Sequence, residues 1–202
     1  AVMSVMNGFR AELFDRILGL NGHAVVQGYG GRLPDWQPLL AKARAMPGVV
    51  QAEPIIEQPL IGSHKSRAEG VLLRGMLMDD IRGLKLVADN IKAGRLEDLA
   101  LEGNFVAIGA RLSESLGAGV PFGTTPRIVP YQIAAVFEVG IFDYDKAFVL
   151  MPLDRAQTFL RMGGDIGMIT LTTTNADRAD RILQPLVPEL AGRGIIIDWR
   201  QM

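Results

Sequence analysis

The 202-residue chain is 49% hydrophobic and 21% charged, a balance that sets it among ordinary globular proteins with apolar material for one or two cores. Its 21 Lys and Arg against 22 Asp and Glu make no broad basic field, which puts nucleic acid last among partner classes. The absence of cysteine excludes a disulfide framework and a thiolate metal site, and fits a reducing cytosol and a bacterial envelope equally well.

The longest apolar runs, Ile133 to Phe137 and Ala147 to Met151, are far short of the roughly 20 residues of a bilayer span. Neither a transmembrane helix nor a signal peptide is expected, and both ends are abrupt, so the chain reads as an excised piece. Val2, Met6, Phe9, Leu13, Ile17 and Leu20 recur at the spacing of an amphipathic helix that Asn21-Gly22 would stop. His23 to Gln27 reads as a strand, Gly28-Tyr29-Gly30-Gly31 as a turn, and Trp36 to Met46 as a helix closed by Pro47-Gly48. Val49 to Ile61 is extended, with Pro54 and Pro59 pointing to an edge or a bend.

Arg67 to Met78 is strand-like, and Asp79 is the expected N-cap of a helix over Ile81 to Leu86. Lys92-Ala93-Gly94-Arg95 reads as a turn, Phe105 to Ile108 as a strand, and Ala110 to Leu116 as a helix. Gly117 to Pro130 holds three glycines and three prolines and must be an irregular loop or arm. Tyr131 to Val139 and Lys146 to Met151 then read as two strands around a turn at Gly140 to Asp145, and Pro152 opens a helix over Leu153 to Met162. Met168 to Thr173 is rich in β-formers, Asn175 caps a helix over Ala176 to Gln184, and Ile195 to Ile197 is the last strand. The economical architecture is one α/β domain built from both chain ends with a β-richer domain inserted between them.

The residues offer little to an enzyme. His23 and His64 are the two available histidine bases; the first reads as structural and the second as solvated in Gly62-Ser63-His64-Lys65-Ser66. Far apart in sequence, with no His-x-x-x-His pair and no cysteine, they make poor metal ligands. Gly28-Tyr29-Gly30-Gly31 lacks the third glycine of a dinucleotide loop, and a phosphate-binding Gly-x-x-x-x-Gly-Lys-Ser/Thr string is absent. The pairs Asp79-Asp80 and Asp143-Tyr144-Asp145 fall short of a calcium loop and are read as a helix cap and a hairpin tip. No catalytic residue, metal ligand or cofactor is expected from these residues.

The opening string Val2 to Leu13, continuing Arg16-Ile17-Leu18-Gly19 to His23, resembles the lipoprotein-releasing ABC transporter permeases of the LolC/LolE family. Further matches follow in family order at Gly109-Ala110-Arg111-Leu112, Phe122 to Arg127, Ala135 to Gly140, Tyr144-Asp145, Met151-Pro152-Leu153, Ala156-Gln157 and Asp198-Trp199. The resemblance implies an α+β, MacB-like periplasmic core. A Porter-like subdomain would take residues 1–65 and 166–202, and a Sabre-like insertion residues 66–165. It implies a place on the periplasmic face of the bacterial inner membrane and a full-length permease that works with a second permease subunit and the cytosolic ATPase LolD. Lipoprotein substrates would pass to the periplasmic carrier LolA.

The same resemblance assigns a carrier-binding hook to Pro121, Phe122, Gly123, Thr124, Thr125, Pro126, Arg127, Ile128, Val129 and Pro130. Prolines would restrict the free arm, Phe122 and Ile128 would anchor it, and Arg127 would orient it. Val2, Met6 and Phe9 would border the path of the lipoprotein's acyl chains. Gly119-Val120 runs straight into Pro121-Phe122, where the family carries a further strand-length segment. Two other readings stay open: a MacB-like exporter or FtsX-like periplasmic domain, against which the Phe122 to Arg127 string speaks, and a small hydrolase or metal enzyme using His23 or His64.

Overall fold

The computed structural model describes residues 22–117 and 131–201. The helix expected over Val2 to Leu20 lies outside them. The contacts group the chain into two units, one holding the described residues up to Pro54 together with those from Gly167 onward, the other holding Ile55–Ile166.

In the first unit β1 (Ala24–Gly28), α1 (Trp36–Ala45), the start of β2 (Val49–His64), β8 (Met168–Thr173) and β9 (Gly194–Asp198) form a helix-covered sheet of order β2-β8-β1-β9. β1 lies antiparallel to both neighbours, with Ala24 opposite Leu171 on one side and Asp198 on the other. Alternation puts Ala24, Val26, Ile169 and Leu171 into the core with Leu39, Leu40 and Ala43 of α1. A fully buried side chain of this size contributes about 1.5–3 kcal/mol. α1 opens behind Asp35, which sits at φ 49° without capping the helix. Arg193 holds that strained corner by donating to the carbonyls of Pro34 at 2.9 Å and Asp35 at 2.7 Å. Asn175 caps as expected, its Oδ1 accepting the Asp177 N–H at 2.9 Å, but in place of a helix running to Gln184 it opens a 3-10 turn, Ala176–Arg178, followed by a short helix, Ala179–Ile182.

The second unit carries the rest of β2, β3 (Arg67–Met76), α2 (Met78–Arg82), α3 (Lys85–Ala88), β4 (Ile91–Gly94), β5 (Phe105–Gly109) and α4 (Ala110–Leu116). β6 (Gln132–Phe137), α5 (Phe142–Ala147), β7 (Phe148–Pro152) and α6 (Leu153–Phe159) follow, and the strand order is β4-β6-β5-β7-β3-β2. Leu73, Met76, Ile81, Leu99, Leu112, Phe137, Phe148 and Leu150 fill its core. Glu57 and Arg74 face each other across β2 and β3, and the buried Arg74 guanidinium donates to Glu57 Oε2 at 2.6 and 3.0 Å while lying over the Phe148 ring. The sequence reading divides the chain after residues 65 and 165, and the contacts divide it after Pro54 and Ile166. The first difference has a local cause: from Ile55 onward β2 pairs residue for residue with β3, so half of one long strand goes with the insertion.

Four local expectations need correction. Asp79 does not cap its helix, which begins one residue earlier at Met78; Asp79 lies in the first turn and pairs with Arg82 at 2.7 Å instead. The helix also stops at Arg82, with α3 separate from it. Lys92-Ala93-Gly94 belongs to edge strand β4, because the β6 edge is open to it. β6 and β7 do not form a hairpin: β5 lies between them, parallel to β6 and antiparallel to β7, and the connection contains α5.

Candidate functional site

The ten hook residues Pro121 to Pro130 and the path residues Val2, Met6 and Phe9 lie outside the described residues. The structure does define the two stems between which the segment 118–130 runs. β5 and β6 are parallel, so the chain must cross over to join them, and α4 with this segment is that crossover.

The leading stem is the end of α4. Gly117 closes it at φ 66°, its N–H donating to the Glu114 carbonyl at 3.2 Å, a left-handed stop that glycine adopts without penalty. His64 Nδ1–H donates to the Leu116 carbonyl at 3.0 Å and Arg67 reaches the Glu114 carbonyl at 3.5 Å, so the tip of the β2–β3 hairpin supplies donors to the last turn of the helix. The reading of His64 as solvated is corrected here: it is only 5% exposed. The signal was available in the strand alternation, since Leu60, Gly62 and His64 share one face.

The trailing stem is Tyr131 at the entry to β6. Its ring meets Phe159 edge-on at 5.7 Å, and Gln132 N–H donates to the Asn104 carbonyl at 2.8 Å. Burial pushes the Tyr131 phenol up from its ordinary value, with the nearby Arg155 opposing. Arg155 in turn donates to the carbonyls of Gly103 and Leu101. The leading stem is thus held by side-chain hydrogen bonds from the β2–β3 hairpin, and the trailing stem by a ring contact and a backbone hydrogen bond within the same unit.

The groups considered for chemistry make hydrogen bonds within the fold. His23 Nδ1 accepts the Thr173 N–H at 3.1 Å and lies 3.0 Å from Thr173 Oγ1, and burial holds its pKa below the usual imidazole value. Asp145 is not at a hairpin tip: only 2% exposed, it accepts the N–H groups of Val139 at 2.7 Å and Gly140 at 3.0 Å. No cluster of three His, Cys, Asp or Glu suited to a metal occurs among the described residues. No helix among them is long and apolar enough to cross a membrane. Among the described residues the arrangement is two anchored chain ends, at Gly117 and Tyr131, on either side of the segment 118–130.

No family model matches the chain. Curated relatives are the lipoprotein-releasing system transmembrane protein LolC of Xylella fastidiosa strain Temecula1, 28% identical over 98% of this chain, and that of Neisseria meningitidis serogroup B, 25% identical over the same share. The chain spans about half the length of these relatives, 51% of each. Among solved structures, the periplasmic region of MacB from Actinobacillus actinomycetemcomitans superposes with a TM-score of 0.60 at 16% identity, covering 89% of both chains. The extracellular domain of the noncanonic ABC-type transporter YknZ from Gram-positive bacteria gives 0.61 at 14% identity, covering 83% of this chain and 91% of its own. The resemblance to the LolC/LolE family read from strings along the sequence is matched by similarity to LolC over nearly the whole chain, and the mixed α/β fold is that of MacB-like periplasmic domains.

Proposed function

We propose that the chain is the periplasmic portion of a lipoprotein-releasing ABC permease, standing on the outer face of the bacterial inner membrane and passing lipoproteins to a LolA-type carrier through the loop Pro121–Pro130. The observation that carries this reading is the similarity to LolC over 98% of the chain. The full permease would draw on a LolD-type ATPase and a second permease subunit, and the bond-making chemistry would lie in that ATPase. The apolar stripe of Val2, Met6 and Phe9 would border the acyl chains of the cargo. The braced stems at Gly117 and Tyr131 support a role for the segment between them in binding. Its prolines lower the ordering cost of binding, and Phe122 and Ile128 supply apolar anchors.

Titration calorimetry of the chain against the LolA-type carrier of the same organism tests this. Saturable binding is expected, weakened at least tenfold by Phe122→Ala and by Arg127→Glu, a loss of about 1.4 kcal/mol or more for each. A folded chain that does not bind, or variants that bind as well as the parent, would overturn the hook assignment and favour an exporter-type domain that docks another envelope protein.

A further inference from the structure

An exposed aromatic ring on α5 is framed by two cations. Phe142, the first residue of that helix, is 54% exposed, with the Arg111 guanidinium of α4 at 4.8 Å from its ring centroid and the Lys146 ammonium at 5.5 Å. Both distances are within cation–π range. No carboxylate lies within ion-pair distance of Arg111 or Lys146 among the described residues, so both cations face the ring and solvent.

The three groups stand on a rigid base. The Asp145 carboxylate fixes α5 by accepting two backbone N–H groups, and Gly109, immediately before α4, has no side chain where a β-carbon would run into the Asp145 carbonyl. α4 and α5 are thereby held in close contact, and Arg111 reaches Phe142 from a fixed direction. A large exposed apolar ring with a preorganised cationic rim has the make-up of an interface hot spot, in which an aromatic anchor and an arginine dominate.

We propose that Phe142, Arg111 and Lys146 form a docking site for an acidic segment of a protein partner, with an apolar partner side chain covering the ring and partner carboxylates meeting the two cations. Charge complementarity selects this occupant. An anionic lipid surface fits less well, because membrane attachment through charge takes larger clusters of basic residues than these two. A protein segment can place single acids over the two cations and clear of the exposed Asp143 and Glu114. The site uses no hook residue, and so stands apart from the carrier reading.

The test is an NMR titration of the chain with two synthetic peptides, one alternating Glu and Leu and one alternating Lys and Leu, and with phosphatidylglycerol vesicles. The Glu-Leu peptide is expected to shift the resonances of Arg111, Phe142 and Lys146, and the Lys-Leu peptide to leave them unmoved. Affinity should fall about tenfold in the double variant Arg111→Glu/Lys146→Glu and a few-fold in Phe142→Ala. These side chains are exposed, so circular dichroism should show the fold retained. No binding of the Glu-Leu peptide, shifts located elsewhere, unchanged affinity in the variants, or tighter binding to the vesicles would each overturn the proposal.

Discussion

His23 joins three segments of the first unit through one residue. Its N–H donates to the Leu171 carbonyl at 2.8 Å, its carbonyl accepts the Trp199 N–H at 2.8 Å, and its ring takes the Thr173 N–H. The ring must be unprotonated at Nδ1 to accept that bond, and burial already lowers its pKa below 6.5. The folded chain therefore binds fewer protons here than the unfolded chain, so this contribution is complete above pH 6.5 and is lost as the pH falls through the lower folded value. The melting temperature should drop as the pH is lowered below 6.5, and His23→Asn, which keeps an acceptor and cannot titrate, should flatten that dependence. A slope equally steep in the variant would assign the effect to other groups. The structural role of His23 was legible in its place at a strand start; the burial of His64 was legible in the face it shares with Leu60 and Gly62, but its partner, the Leu116 carbonyl, is distant in sequence and was not.

At the scale of elements, strands with strong local signals agree closely with expectation: Met168–Thr173 is a run of apolar and β-branched residues and matches β8 at both ends. Expectations failed where pairing was decided by a third element. β6 and β7 look like a hairpin because a glycine and acidic residues lie between them, but β5 bonds both, through Ala107 to Ala135 on one side and to Leu150 on the other. The helix between them depends on Gly109, whose φ of −68° suits any residue, so its requirement for glycine comes from contact alone. Gly109→Ala should cost about 3 kcal/mol by chemical denaturation, because the Asp145 backbone it would strike is itself held by the Asp145 carboxylate. A cost below about 1 kcal/mol would mean that α5 can shift after all. The Phe142 patch had no sequence signal, since Arg111 and Phe142 come together only through this packing.

For the molecule as a whole, the two-unit organisation implies that the insertion carries its own core. Ile55–Ile166 contains the side chains that fill that core and the complete ten-residue register of β2 with β3. Expressed alone, this segment should show one cooperative thermal transition by circular dichroism, whereas a broad, non-cooperative melt would show that it needs the rest of the chain. The overall α/β plan was legible because alternating strand and helix patterns flank a β-richer middle. The position of the division was not, because nothing in a single strand's composition reveals that its two halves pair with different partners.

The first unit also has a mechanical character. β1 begins and β9 ends at the same corner of their sheet, where Ala24 faces Asp198 and the Trp199 N–H meets the His23 carbonyl. The rungs between antiparallel strands lie across the strand direction. Tension that draws residues 22 and 201 apart therefore loads one rung at a time, as in a zip fastener, and meets little resistance. Segments on either side that travel together leave the ladder unloaded and carry the unit as a rigid passenger. The fold tolerates joint motion of residues 22 and 201 and yields to their separation.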